Sequence, residues 1–212
     1  MGVVKMRMKS DCGNAKQPLT TARPLGQIRI VGGRVCLDFV NTVHDRYAPV
    51  REDYITDAGR YLAWSRQVGI LSYPEYAKLC SARLNERLMT DVRRFREELY
   101  AFFLGHIRGR TPGGPTLLAY WMARAWAGLQ FDVRSQNYVA WSERALDAYL
   151  PLKRIALDVL EMLQHGQRSR LRLCAARGEC GWLFYDQSKS GTRRWCSMET
   201  CGAAAKMRRY RS

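Results

Sequence analysis

The sequence predicts an α+β protein, mostly helical: an N-terminal helical domain with a small β-hairpin or sheet, followed by a small C-terminal module held by cysteines. Three observations predict it. Apolar residues recur at three- and four-residue steps through residues 84–107 and again through 143–164, the period of helices with one buried face. Four cysteines near the C-terminus stand in two close pairs, Cys174 with Cys180 and Cys196 with Cys201. The net charge of +16 is unevenly spread: residues 168–212 hold 11 Lys and Arg against 3 Asp and Glu, whereas residues 31–167 hold 18 against 15.

The elements follow in order. Residues 1–25 are polar, basic and aperiodic, and read as a flexible tail. A domain over 26–167 begins with QIRIVGGRVCLDFVNTV, two β-branched segments around Gly32 and Gly33 that predict a hairpin or bulged strand. In that reading Leu37 and Phe39 alternate with Asp38, which faces away from the core. Asp57 is a cap for a helix carrying Tyr61, Leu62, Ser65 and Val68 on one side and ending at Gly69. Ser72 before Tyr73-Pro74-Glu75 starts another, since proline is tolerated in a first turn. The long helix over 84–107 carries an apolar stripe of Leu88, Val92, Phe95, Leu99, Phe102, Phe103 and Ile107, with Arg93, Arg94, Glu97 and Glu98 on a solvated face. GRTPGGP breaks the chain before a helix over 116–128; residues 129–142 suit a short hairpin; and Pro151 is expected to kink or divide the helix over 143–164. The last module spans residues 168–212.

The paired cysteines point to zinc. A tetrahedral ion takes four soft ligands, and two short pairs on rigid turns supply them. The residues between the pairs, GWLFYDQSKSGTRRW, are apolar at both ends with a polar, glycine-containing middle, as two short strands around a loop would be. A four-cysteine site of this kind is closed to water and therefore structural. In so small a module the metal is expected to supply most of the folding free energy, with Trp182, Phe184 and Trp195 beneath the metal loops. Cys36 and Cys80 lie in apolar runs and read as buried hydrophobes; Cys12 lies in the tail.

Composition sets the outer limits. With 47% apolar and 25% charged residues the chain is of soluble globular type, and it shows no apolar run of membrane-spanning length and no signal-peptide core. A cytoplasmic, nucleoid-associated place is expected, with no membrane partner and with thiols kept reduced. No phosphate loop, dinucleotide fingerprint or nucleophile elbow is present, so no enzyme is expected. His44 beside Asp45 is the one close His and carboxylate pair, and on an extended chain the two point apart.

RLRLCAARGECGWLFYDQSKSGTRRWCSMETCGAAAKMRRY resembles the CGNR zinc finger, through CGWLF, the D-x-S, RRWCSM and a final Cys-Gly before basic residues. GGRVCLDFVNTV resembles the start of the ABATE-type domain that accompanies that finger. The resemblance implies a stress-induced bacterial transcription regulator with a mostly helical N-terminal domain that senses a ligand or dimerises, and a zinc-holding, DNA-binding module. Two departures stand out. Five residues separate Cys174 from Cys180 where four are expected, placing an extra residue near Gly178, and Ala203 and Ala204 replace the Asn and Arg that follow Cys-Gly.

The expected geometry is treble-clef-like: a knuckle at the first cysteine pair, a hairpin, then a helix capped by Ser197 with Cys201 in its first turn. Lys206, Arg208, Arg209 and Arg211 on that helix, with Lys189, Arg193 and Arg194 on the hairpin, form the candidate nucleic-acid surface, Arg208 and Arg209 being suited to base edges. Asp38, Asn41 and Thr42 are the candidate polar contacts for a small effector, or equally hydrogen-bonders of a turn. The partner is expected to be duplex DNA, with a small effector and a second copy of the chain as further candidates; the alternative is a zinc-stapled RNA-binding or protein-interaction module.

Overall fold

The computed structural model describes residues 19–110, 115–176 and 180–211. Among them are seven α-helices, six of which contribute to one core, and three small sheets. Strand β1 (Leu19–Ala22) runs parallel to β3 (Val50–Asp53), which pairs antiparallel with β2 (Val43–His44). Ordered structure thus begins ahead of residue 25, inside the stretch read as tail.

The segment expected to be a hairpin is instead α1 (Val35–Val40), the centre of the core. Cys36, Leu37, Phe39 and Val40 are all fully enclosed, and the Phe39 ring sits between Trp64 at 5.7 Å and Phe95 at 6.0 Å. A helix buried on every side carries no amphipathic period, which is why its β-branched residues read as strand. Its first turn is capped from elsewhere in the chain, by Asp158. The Cys36 amide donates to Asp158 at 2.8 Å, and Asp38 folds the preceding segment back by accepting from the Val31 and Gly32 amides at 3.0 and 2.8 Å.

The helices α2 (Ala58–Gln67) and α3 (Tyr73–Cys80) start where their caps predict: Asp57 accepts from the Arg60 amide at 2.9 Å, and Ser72 with Glu75 forms a capping box. Arg154 adds two bonds to Glu75, at 2.6 and 2.9 Å. Helix α4 (Leu88–Ile107) buries the expected stripe, yet its charged face is not simply solvated. Glu97 holds the buried Arg46 at 2.7 Å, and Glu98 accepts from the Leu117 amide at 2.6 Å, capping α5 (Thr116–Gly128), which has no side-chain cap of its own. Arg96 on the same helix is buried against Asp53 at 2.7 and 2.9 Å.

Strands β4 (Leu129–Phe131) and β5 (Val139–Trp141) form the expected hairpin. Helix α6 (Leu150–His165) is neither kinked nor divided: Pro151 lies in its first turn, where the missing N–H has no partner to lose. No helix among the described residues is long and apolar enough to cross a membrane.

Candidate metal centre and nucleic-acid interface

Strands β6 (Leu171–Leu173) and β7 (Leu183–Tyr185) pair antiparallel, Leu173 opposite Leu183, and the first cysteine knuckle is the loop between them. The hairpin therefore brackets Cys174 and Cys180: β7 lies at the apolar start of the spacer, where a strand was expected, but its partner β6 precedes the first cysteine. Apolar residues on both sides of the knuckle satisfy the pairing better than the polar spacer does. The extra residue near Gly178 lies outside the described residues.

The four cysteine sulfurs lie within 4.8 Å of one another. Sγ of Cys196 is 3.6 Å from both Cys180 Sγ and Cys201 Sγ. A zinc ion about 2.3 Å from each sulfur sets edges of about 3.8 Å, so the separations match a tetrahedron around one ion. Cys174 and Cys196 are 2% and 0% exposed, which closes the site to water. Crowded thiols cannot all ionise alone. Hydrogen bonds from Cys180 and Cys196 draw the Cys174 thiol down to about 2, while the bond to Cys174 pushes Cys180 and Cys196 well up. A divalent cation removes that conflict, and the donor set is the one zinc prefers. The two halves are tied by backbone too: the Cys196 amide donates to Cys174 Sγ at 3.4 Å and the Ala175 amide to the Arg194 carbonyl at 2.9 Å. The chain holds a structural zinc in this four-cysteine site.

The metal site does not stand on a core of its own. Trp182, Leu183 and Phe184 are at most 1% exposed and belong to the same cluster as α1, α4 and α6. Trp182 Nε1 donates to the Val43 carbonyl at 2.9 Å. Asn41 clamps β7 in both directions: its Nδ2 donates to the Leu183 carbonyl at 2.7 Å and its Oδ1 accepts the Leu183 amide at 2.9 Å. The Tyr185 amide donates to the Gly32 carbonyl at 2.7 Å, and Arg29 reaches Thr200 beside the last cysteine. At Gly181 the backbone has φ +73, and a Cβ there would stand 3.0 Å from Arg46 Cβ and 3.1 Å from Tyr47, so glycine lets the knuckle close on the helical domain. The module's folding free energy therefore comes from a shared core as well as from metal.

Asp38, Asn41 and Thr42 are accordingly structural. They are 4%, 1% and 0% exposed; Asp38 and Asn41 are bonded as described, and Thr42 donates to Phe39 and accepts from Arg96. Burial pushes the Asp38 carboxyl up to about 6, against the two backbone amides that lower it. All three positions fit the hydrogen-bonding alternative offered for them, their polar atoms having internal partners.

Of the cationic residues, Arg193 is also taken inward. Its guanidinium lies 4.5 Å over the Phe184 ring and donates to the carbonyls of Val31, Trp195 and Cys196. Lys189 is exposed in the turn closed by the Gly191 amide on the Ser188 carbonyl. That loop is organised by the buried Asp186, which accepts from the Ser188 and Arg193 amides at 2.9 and 2.8 Å; the D-x-S motif was visible in the sequence but its role was not. Arg194 is exposed, 4.9 Å over Trp195.

After Cys196 the chain makes a π-turn, Met198–Gly202, which carries Cys201 and runs straight into α7 (Ala203–Arg211). Ser197 sits at its start but makes no side-chain cap bond, so the metal ligand fixes this end in place of a cap. No residue of α7 is buried; Lys206, Arg208, Arg209 and Arg211 are all exposed. Arg194, Lys206 and Arg209 line one hollow of about 490 Å³, with Trp195 and Met198 in its wall.

His44 was expected to be a solvated residue pointing away from Asp45. Asp45 takes φ +47, which brings its carboxylate back to 3.1 Å from His44 Nδ1, with Glu52 at 3.3 Å. Arg23 is bonded to Glu52 and Trp182 stands edge-on at 5.9 Å, so the group packs against the finger. Cys36 is buried as expected, whereas Cys80 is exposed.

Two family models match the chain. The ABATE family, described as "Putative stress-induced transcription regulator", matches residues 33–166, and the CGNR zinc finger matches residues 170–212. No curated protein matches.

Proposed function

The chain belongs to the ABATE family, and from that premise we propose that it is a DNA-binding transcription regulator whose structural zinc fixes α7 and its basic residues for contact with a duplex. The observation that carries this reading is α7 itself. A nine-residue helix with no buried side chain gains little from packing, and helices of that length are marginal in water. Its amino end is anchored through Cys201, and the rest presents cations to solvent. Such a surface suits a polyanion, and the phosphates of a duplex supply one. In this reading the N-terminal domain dimerises or responds to an effector, and the protein is a binder with no catalytic step.

Binding of the zinc-loaded protein to genomic duplex fragments tests the proposal. Affinity is expected to fall steeply with salt and to disappear on chelation. Salt-insensitive binding, or binding retained after zinc removal, would overturn it. A second reading, an RNA-binding module, draws on Met207 at 53% and Tyr210 at 70% exposure, which offer stacking surface for unpaired bases. Competition between duplex DNA and structured RNA at fixed salt separates the two.

A further inference from the structure

The hollow beside α7 is one end of a longer groove. A second hollow, of about 370 Å³, lies between Arg172, Leu173 and Ala175 on one side and Gly191, Thr192 and Arg194 on the other. A third, of about 480 Å³, lies between His106 and Ile107 at the end of α4 and Arg168, Ser169 and Arg172. Neighbouring hollows share walls: Arg194 lines the first and second, and Arg172, Leu173 and Ala175 line the second and third. Among the described residues, no Asp or Glu lines any of the three.

The cations of this groove are exposed yet held. Arg172 donates to the Gly191 carbonyl at 3.0 Å, which places its guanidinium across the groove and leaves its other donors outward. Arg194 stands with its Cζ 4.9 Å over the Trp195 ring. Arg168 opens the short 3-10 turn that joins α6 to β6 and is exposed. A row of exposed guanidinium groups with no carboxylate between them among the described residues has the chemistry of a phosphodiester track, where each contact releases counterions.

We propose that the DNA backbone follows this groove from α7, past the metal knuckle and along β6, to the C-terminal end of α4, with Arg168, Arg172 and Arg194 as phosphate contacts. The footprint then extends beyond the finger onto the helical domain. This rests on the DNA-binding reading above and adds to it a path and an end point.

The test uses the full zinc-loaded chain and a duplex that it binds, with affinity measured against KCl concentration. The R168Q/R172Q variant is expected to lose about tenfold in affinity near 0.1 M salt and to flatten the log–log salt slope by about 2, while R168K/R172K keeps the slope. Equal zinc content and melting temperature in all three proteins establish that the fold is intact. A photo-crosslinking residue at Ser169 in the otherwise unaltered chain is expected to capture DNA, a readout that does not depend on the arginine variants folding. If the parent protein binds duplex DNA but R168Q/R172Q has the same slope and Ser169 captures nothing, the groove path falls and the DNA-binding reading stands. If the zinc-loaded parent binds no duplex at all, both fall.

Discussion

The β6–β7 hairpin and helix α7 flank the same zinc ion and are built in opposite ways. The hairpin is sunk into the helical domain by Trp182, Leu183 and Phe184, clamped by Asn41 and bonded to the segment before α1. Helix α7 buries nothing. The hairpin is thus held by packing and hydrogen bonds that persist whatever the finger contacts, while α7 follows directly on the metal ligand Cys201 and has no buried side chain. The ion acts less as the core of a separate module than as a coupling between a rigid base and an exposed arm.

Substitutions should separate the two regions sharply. Trp182→Ala removes the largest side chain that the two halves share and is expected to cost about 3–5 kcal/mol. Calorimetry should show one cooperative transition moving to lower temperature; two transitions, with the helical domain unmoved, would break the comparison. Asp38→Asn is expected to change a pH profile. The folded carboxyl is raised from 3.8 to about 6, so its stabilising contribution is full below about pH 4 and is lost as pH rises through 6. Relative to D38N, the parent should therefore lose about 3 kcal/mol of unfolding free energy between pH 4 and 7, at about 1.4 kcal/mol per unit. Denaturant titrations of both proteins at each pH check this. Asn41→Ala leaves the Leu183 amide and carbonyl buried without partners, at an expected cost of about 2–3 kcal/mol. The same titrations measure it. At the small end, the double change of Lys206 and Arg209 to Ala is expected to shift stability by less than about 0.5 kcal/mol while lowering duplex affinity severalfold.

The parts legible in the sequence were those whose cause is local. Asp57 and the Ser72–Glu75 pair announced their helices because a cap acts within four residues, and the stripe of α4 showed because one face is wet. The zinc ligands were legible because sulfur in two close pairs has few other uses in a reduced chain. Helix α1 was not, since full burial erases its period, its cap Asp158 acts across the fold, and Asp38 bonds backwards to the segment before it. Asn41 stood open between an effector contact and a turn hydrogen-bonder because a buried amide facing a strand 142 residues away leaves no mark in the surrounding residues. Arg193 counted as surface charge for the same reason: its three carbonyl partners are set by the folded loop.

That clamp between Asn41 and Leu183 also sets a timetable. During synthesis the helical domain cannot complete its centre until β7 has left the ribosome, long after α1 has done so, because Trp182 and Leu183 are part of what surrounds α1. The helices made in between therefore wait, with apolar surface uncovered, for one short strand. A chain cut before residue 183 is expected to be not a regulator without its finger but a substrate for proteases.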